Sequence, residues 1–206
     1  MKILSKEKPI TIVCFGDSNT RYFLGDTQED GVAADSYPAK LQTLFAERGY
    51  PNVKVYNCGM PDAQTDYALA NFDRDVVGNK ADVMIYGFGT NCIRQDEPDL
   101  AGYLEDTAHI FDLCQKRGIQ PVSLLLPWFA EGYCGREGQL RLPGWNSALC
   151  ELCMIRDVAI LDTYNAFSGD PDRFFSETAT PKRHYSAAAT QVIAEMAFAL
   201  IAPCIR

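Results

Sequence analysis

Five short apolar runs, each separated from the next by a stretch of helical periodicity, constrain this chain more than any other feature. Ile10–Phe15 (ITIVCF) stops at Gly16, Val53–Tyr56 at Asn57, Asp82–Phe88 (DVMIYGF) at Gly89 and Val122–Leu126 at Pro127; Val158–Asp162 is the last. Runs that are apolar throughout, rather than at alternate positions, suit strands buried on both faces, as in parallel sheets. Between them, Tyr37, Leu41, Leu44 and Phe45 have helical spacing ahead of Gly49, and Leu69, Phe72, Val76 and Val77 repeat the pattern ahead of Gly78. Leu100, Tyr103, Leu104, Thr107, Phe111 and Cys114 form one face of a helix that should stop near Gly118, and another helix is expected from about Trp145 to Ile155. The last carries Val192, Ile193, Met196 and Leu200 on one face, with Ser186 as N-cap and Pro203 beyond its end. This alternation predicts an α/β protein with a doubly wound parallel sheet and helices on both faces. No repeat or long linker divides the 206 residues, so one domain spanning 1–206 is expected, large enough to bury a core without disulfides or a structural metal.

Composition removes several classes of function. With 47% apolar residues the chain is neither disordered nor fibrous. Nineteen basic against twenty-seven acidic residues leave a net charge of −8, which argues against nucleic acid and anionic membrane as partners. The most apolar long stretch, Ala187 to Ala202, is interrupted by Thr190, Gln191 and Glu195 and falls short of a usual membrane span. The opening MKILSKEKPI has no apolar core of a signal peptide, so the expectation is a cytoplasmic protein whose eight cysteines are reduced thiols. Cys150 and Cys153 form a C-x-x-C pair, but two small buried residues one helical turn apart explain it without a metal, and no cofactor is expected.

In such sheets function gathers where strands end at their carboxyl edge. Gly16-Asp17-Ser18-Asn19-Thr20 follows the first run, Asn57-Cys58-Gly59 the second and Gly89-Thr90-Asn91-Cys92 the third, while His184 precedes the last helix. A hydroxyl, a small turn, an amide and an imidazole are the parts that acyl transfer needs. A serine needs an adjacent base, and the chain has two histidines. His109 lies about 160° from Phe111 around its helix and faces solvent, which leaves His184. The N–H groups of Ser18 and Gly59 and the Asn91 amide could supply three oxyanion donors, each worth roughly 3 kcal/mol of barrier. Gly59 suits this because no Cβ would block a substrate. Asp17, adjacent to Ser18, reads as a structural residue that ties down the turn. Trp128, Phe129, Tyr133 and Trp145, with Arg136 and Arg141 among them, follow the fourth run; they either line a substrate pocket or fill a satellite core under a long loop. Gly87-Phe88-Gly89 begins like a dinucleotide fingerprint, but Cys92 stands where its third glycine would be.

Together these blocks resemble the SGNH hydrolases, the superfamily of GDSL-type esterases and lipases. Phe15-Gly16-Asp17-Ser18-Asn19-Thr20 is similar to its first block, Asn57-Cys58-Gly59 to its second and Gly89-Thr90-Asn91 to its third; Thr65 to Asn91 and Trp145 to Ile201 read like the family's connections. The resemblance implies a three-layer α/β/α sandwich around a five-stranded, flavodoxin-like parallel sheet. It also implies a serine esterase with Ser18 as nucleophile, His184 as general base and Ser18, Gly59 and Asn91 as oxyanion hole, acting on a small-molecule ester, either simple or carbohydrate-linked. Two positions depart from the pattern. Pro181 stands where the family's D-x-x-H block has aspartate, and Cys92 where its third block continues with aspartate. Glu177 is the nearest carboxylate preceding His184 and a candidate third member; a loop carbonyl could hold the imidazole instead. Two alternatives stay open: a non-catalytic binding protein on the same fold, and an acyltransferase or thioesterase with the same site.

Overall fold

The computed structural model describes residues 1–22, 33–95, 97–128, 131–175 and 184–206, with the backbone alone for 131–134 and 171. Five strands, β1 (Ile10–Gly16), β2 (Val53–Gly59), β3 (Val83–Gly87), β4 (Gln120–Leu124) and β5 (Ala159–Leu161), form one parallel sheet in the order β2-β1-β3-β4-β5. The three-layer α/β/α sandwich expected from the sequence is present. Ile12 to Phe15 of β1 and Val83 to Tyr86 of β3 are buried on both faces, which is why those runs are apolar without alternation. Chain order reverses between β1 and β3, so their carboxyl ends open a crevice at the switch point.

Nine helices are described. α1 (Ser18–Arg21) and α4 (Thr90–Gln95) are short and begin directly after β1 and β3. α2 (Tyr37–Glu47) starts where Ser36 Oγ accepts the Ala39 N–H at 3.3 Å, with Pro38 in its first turn, and the chain leaves it through Gly49 at φ 82°. α3 (Thr65–Phe72) runs on into a π-type turn, Asp73–Val77, ahead of Gly78. α5 (Leu100–Lys116) is capped by Asp99, whose carboxylate accepts the Gly102 N–H at 2.9 Å. α6 (Glu131–Ile155) starts well before Trp145, where the apolar periodicity begins, and is broken at Gly135 (φ 66°, ψ 174°). The stretch after β4 is therefore mostly helical rather than a long loop. α7 (Thr163–Ser168), α8 (Pro171–Phe174) and α9 (Ala187–Ile201) complete the set. α9 packs on α2 and buries Ile193, Ala194, Ala197 and Ile201; Pro203 turns its end into a 3-10 turn. With its 3-10 extension α9 is long and apolar enough by composition to cross a membrane, and here that apolar face belongs to the core.

Three glycines end the three neighbouring strands side by side: Gly16 pairs with Gly59 on one flank and with Gly87 on the other. α1 lies directly on them. A Cβ on Gly59 would stand 2.2 Å from Arg21 N, and one on Gly16 would stand 2.2 Å from Thr20 Oγ1 and 2.8 Å from the Gly87 carbonyl oxygen. Gly59 is thus a glycine because the backbone of α1 presses on it, not because a substrate must pass. Gly59→Ala is expected to destabilise the fold by about 1–3 kcal/mol, the cost of overpacking against backbone, read from urea unfolding. A loss below about 0.5 kcal/mol would show that α1 lifts off at little cost.

Candidate active site

Asp17 is the hinge between β1 and α1. Its backbone is extended, its carbonyl receives the N–H groups of Thr20 (3.1 Å) and Arg21 (3.0 Å), and its Oδ1 accepts the Asn19 N–H at 2.8 Å. This N-cap starts α1 with Ser18 as its first residue. Tyr22, in the left-handed region at φ 67°, closes the helix by donating its N–H to the Ser18 carbonyl. A strand, a cap and one helical turn thus set the serine at the crevice.

His184 comes to Ser18 from the far end of the chain. Its Nε2 lies 3.1 Å from Ser18 Oγ, and both residues are 7% exposed. The next residue is also tied to α1, since the Tyr185 N–H donates to Asn19 Oδ1 at 3.0 Å. The Tyr185 ring packs against Phe167 and Phe175, and Ser186 donates its N–H to the Phe174 carbonyl at 3.0 Å before capping α9.

Asn91 arrives on α4. Its Nδ2 donates to the Ala63 carbonyl at 3.0 Å, and its Oδ1 accepts from Arg94 Nη2 at 3.3 Å. Nδ2 carries two hydrogens, of which the Ala63 bond uses one. The preceding Thr90 donates its hydroxyl proton to Asp17 Oδ2, so the turn that carries Ser18 and the helix that carries Asn91 are bonded to each other. Gly59 lies under α1, and its N–H donates to Asn57 Oδ1 at 3.0 Å. To serve an oxyanion, that hydrogen must be shared or the Asn57 side chain must turn away.

Ser18, Gly59 and Asn91 therefore stand at the carboxyl ends of β1, β2 and β3, and His184 is brought against Ser18. Glu177, Pro181 and Phe129 lie outside the described residues, as does the Tyr133 side chain. Trp128 is half-buried, with its ring 5.7 Å from that of Tyr164. Trp145 corrects the pocket expectation: it is 3% exposed and stacks on Tyr103 at 5.2 Å, because the longer α6 turns it into the core. Arg136 is exposed, and Arg141 donates to the Ile93 carbonyl at 3.2 Å. The crevice between α1 and the ends of β3 and β4, lined by Asp17, Asn19, Thr90, Leu125 and Tyr185 among others, has a volume of about 10 Å³. That admits roughly one water, not an acyl chain. Gly89, the second glycine of G-F-G, has φ 125°, and a Cβ there would stand 2.6 Å from Leu126 Cδ2 and 2.9 Å from the Tyr103 ring, so close packing accounts for it. Burial pushes the thiols of Cys92 and Cys153 up to about 12, which keeps both protonated and unreactive at neutral pH. Among the described residues no three His, Cys, Asp or Glu side chains gather as a metal site.

Asn19, Thr90, Arg94 and Tyr185 were not legible as site residues in the sequence. Thr90 carries a weak local signal, its place before Asn91. The Asn19–Tyr185 bond joins positions 166 apart, and nothing local marks it.

A serine, an imidazole within hydrogen-bonding reach of it and an amide, set on a β2-β1-β3-β4-β5 sheet, are the arrangement of the SGNH hydrolase superfamily. The chain belongs to the GDSL-like lipase/acylhydrolase family, whose model matches residues 14–192. It is 30% identical over 126 residues to the lipoprotein YqeF of Bacillus subtilis, a match that covers 59% of this chain and about half (50%) of that relative. Among solved structures it is similar to the lipase/acylhydrolase from Enterococcus faecalis (TM-score 0.82, 21% identity, 96% of this chain and 97% of that one). The acetylxylan esterase Axe2 from Geobacillus stearothermophilus also superimposes (TM-score 0.75, 18% identity, 100% and 99%). At these identities the two structures speak for the fold.

Asp17 generates a pH prediction. Its carboxyl is buried, and desolvation raises it from 3.8 to about 6, against the opposing bonds from Thr90 and Asn19. A carboxyl raised in the fold contributes stability that is fully present below about 3.8 and lost as pH rises through about 6. Asp17→Asn keeps an acceptor for the Asn19 N–H and removes the titration. Relative to that variant, the native protein should lose about 3 kcal/mol between pH 3.5 and pH 7, measured by urea unfolding across the range. Parallel profiles would show that Asp17 titrates at its ordinary value.

Proposed function

We propose that this protein is a serine esterase that cleaves a small or carbohydrate-linked acyl ester through an acyl-enzyme on Ser18. The observation that carries the reading is the 3.1 Å contact between Ser18 Oγ and His184 Nε2. With Nε2 as acceptor, His184 holds its ring proton on Nδ1 and takes the serine proton as Oγ attacks the ester carbonyl. The oxyanion receives N–H donors from Ser18, Gly59 and Asn91 Nδ2. The imidazolium then returns its proton to the leaving alkoxide, the C–O bond breaks and the acyl group stays on Ser18. Water, deprotonated by His184, attacks the acyl-enzyme; the bond from the acyl carbon to Ser18 Oγ then breaks, His184 returns the proton to Oγ and the acid leaves. Asp17 orients without touching substrate: its carboxylate caps α1 and receives Thr90, which keeps Ser18 and Asn91 at a set separation.

Two features support the substrate class. The fold matches that of an acetylxylan esterase, and the half-buried rings of Trp128 and Tyr164 follow β4 and β5 at the carboxyl edge of the sheet. Rings of this kind offer faces for sugars. A panel of p-nitrophenyl esters of rising chain length, beside acetylated xylo-oligosaccharides, tests this directly. Acetyl esters should be cleaved fastest, and a preference for long acyl chains would overturn the substrate assignment.

Ser18→Ala should abolish covalent labelling by a fluorophosphonate while leaving the fold intact; persistent labelling would move the nucleophile elsewhere. Asn91→Ala should lower kcat about a hundredfold or more with little change in KM, since its bond to the oxyanion forms in the transition state. An effect confined to KM would assign Asn91 to substrate binding. A native protein that neither labels nor turns over any ester would leave the non-catalytic reading.

A further inference from the structure

We infer that Asn19 is a positioning residue, whose side-chain carbonyl, by holding the Tyr185 N–H, keeps His184 in line with Ser18. The inference rests on the reading of Ser18 and His184 as nucleophile and base. Ser18 and Asn19 are consecutive on α1, and His184 and Tyr185 are consecutive on the segment that leads into α9. Two bonds join the pairs, Ser18 Oγ to His184 Nε2 at 3.1 Å and Asn19 Oδ1 to Tyr185 N at 3.0 Å. One contact alone would leave the imidazole segment able to pivot about it; two adjacent contacts hold the two segments against each other.

Asn19 is suited to this work. It is 4% exposed, and its own N–H is held by Asp17 Oδ1 at 2.8 Å, so its backbone is pinned to the same cap that places Ser18. The Tyr185 N–H needs an acceptor, which sets the amide with its oxygen toward that backbone. Three backbone and hydroxyl ties of the 184–186 segment run to the other side. Tyr185 bridges to Phe175, while Ser186 donates from N to the Phe174 carbonyl at 3.0 Å and from Oγ to the Arg173 carbonyl at 2.7 Å. Those bonds fasten the segment to α8 and its flank. The Asn19 bond ties the segment's backbone to the helix that carries Ser18, one residue from the imidazole. A misplacement of about 1 Å at a reacting group costs on the order of a hundredfold in rate. The family's aspartate three residues before the histidine is Pro181 in this chain, which gives the backbone tie one residue after the histidine added weight.

The test compares Asn19→Leu, of similar shape but without an acceptor, with Asn19→Asp, which keeps the acceptor. kcat and KM are measured with p-nitrophenyl acetate, and the imidazole resonances are followed by NMR. The chain has only two histidines, and His109 on the exposed face of α5 serves as the internal control. Asn19→Leu should lower kcat ten- to a hundredfold with KM within about twofold, in keeping with a misplaced base. Its His184 resonances should shift or broaden while those of His109 stay put, and Asn19→Asp should recover most of the lost kcat. Should leucine or aspartate fail to fold, Asn19→Ala and its His184 resonances give the same reading. Native kcat with unmoved His184 resonances in the leucine or alanine variant would overturn the inference, and so would a folded aspartate variant as slow as the leucine one. His184→Ala separates the two levels of the argument. If it retains native turnover, the nucleophile–base reading falls. If it is inactive while Asn19→Leu is unimpaired, only the positioning role falls.

Discussion

The close approach of α1 to the glycine-lined ends of three strands is the contact on which the site depends. A one-turn helix has too few internal bonds to hold its own position. It is held by what it rests on: Gly59 lets its backbone, and Gly16 its Thr20 side chain, come within a distance that a Cβ would forbid. Because β1 is paired on both sides, to β2 and to β3, the floor under α1 is also the most firmly bonded part of the sheet. Ser18 is therefore positioned by rigid secondary structure, and the remaining members of the site are brought to it.

They are brought by a few long-range polar bonds. Asp17 receives Thr90 from α4, and with it comes Asn91. Asn19 receives Tyr185, and with it comes His184. Residues on both sides of the serine thus act as connectors, one toward the amide and one toward the imidazole. The arrangement costs something, since Asp17 is a wholly buried carboxyl whose ionisation the fold disfavours. The bonds it accepts offset part of that cost and keep the turn that carries Ser18 from relaxing.

Family membership and site geometry bear on different questions. Membership in the GDSL-like lipase/acylhydrolase family gives the class of reaction. The geometry shows what this chain places at the carboxyl edge of its sheet: a serine on a capped turn, an imidazole 3.1 Å from it, and an amide held by a backbone carbonyl on one side and a guanidinium on the other. The Arg94 contact also fixes the sense of the Asn91 amide, oxygen toward the guanidinium and nitrogen toward Ala63, so its donor hydrogens face away from the cation.

Much of the architecture was legible without coordinates, because hydrophobic burial writes itself into local periodicity. The five apolar runs became the five strands, and Ser186 caps α9 as its short polar side chain allows. Ser18, Gly59, Asn91 and His184 could be singled out because each follows a strand or precedes a helix at the functional edge. What the sequence could not carry was anything set by a contact between distant segments. Trp145 could line a pocket or fill a satellite core by its sequence alone, and its stacking on Tyr103 places it in the core. Gly59 suggested room for substrate, and the structure shows room for Arg21 instead. Asn19 and Thr90 are ordinary turn residues by local pattern, and only the parallel pairing of β1 with β3 and the return of the chain at α9 bring Thr90 to Asp17 and Tyr185 to Asn19. Periodicity depends on neighbours a few residues apart, so sequence determines it. A hydrogen bond across 73 or 166 positions depends on how the sheet is ordered, and only the tertiary structure decides that.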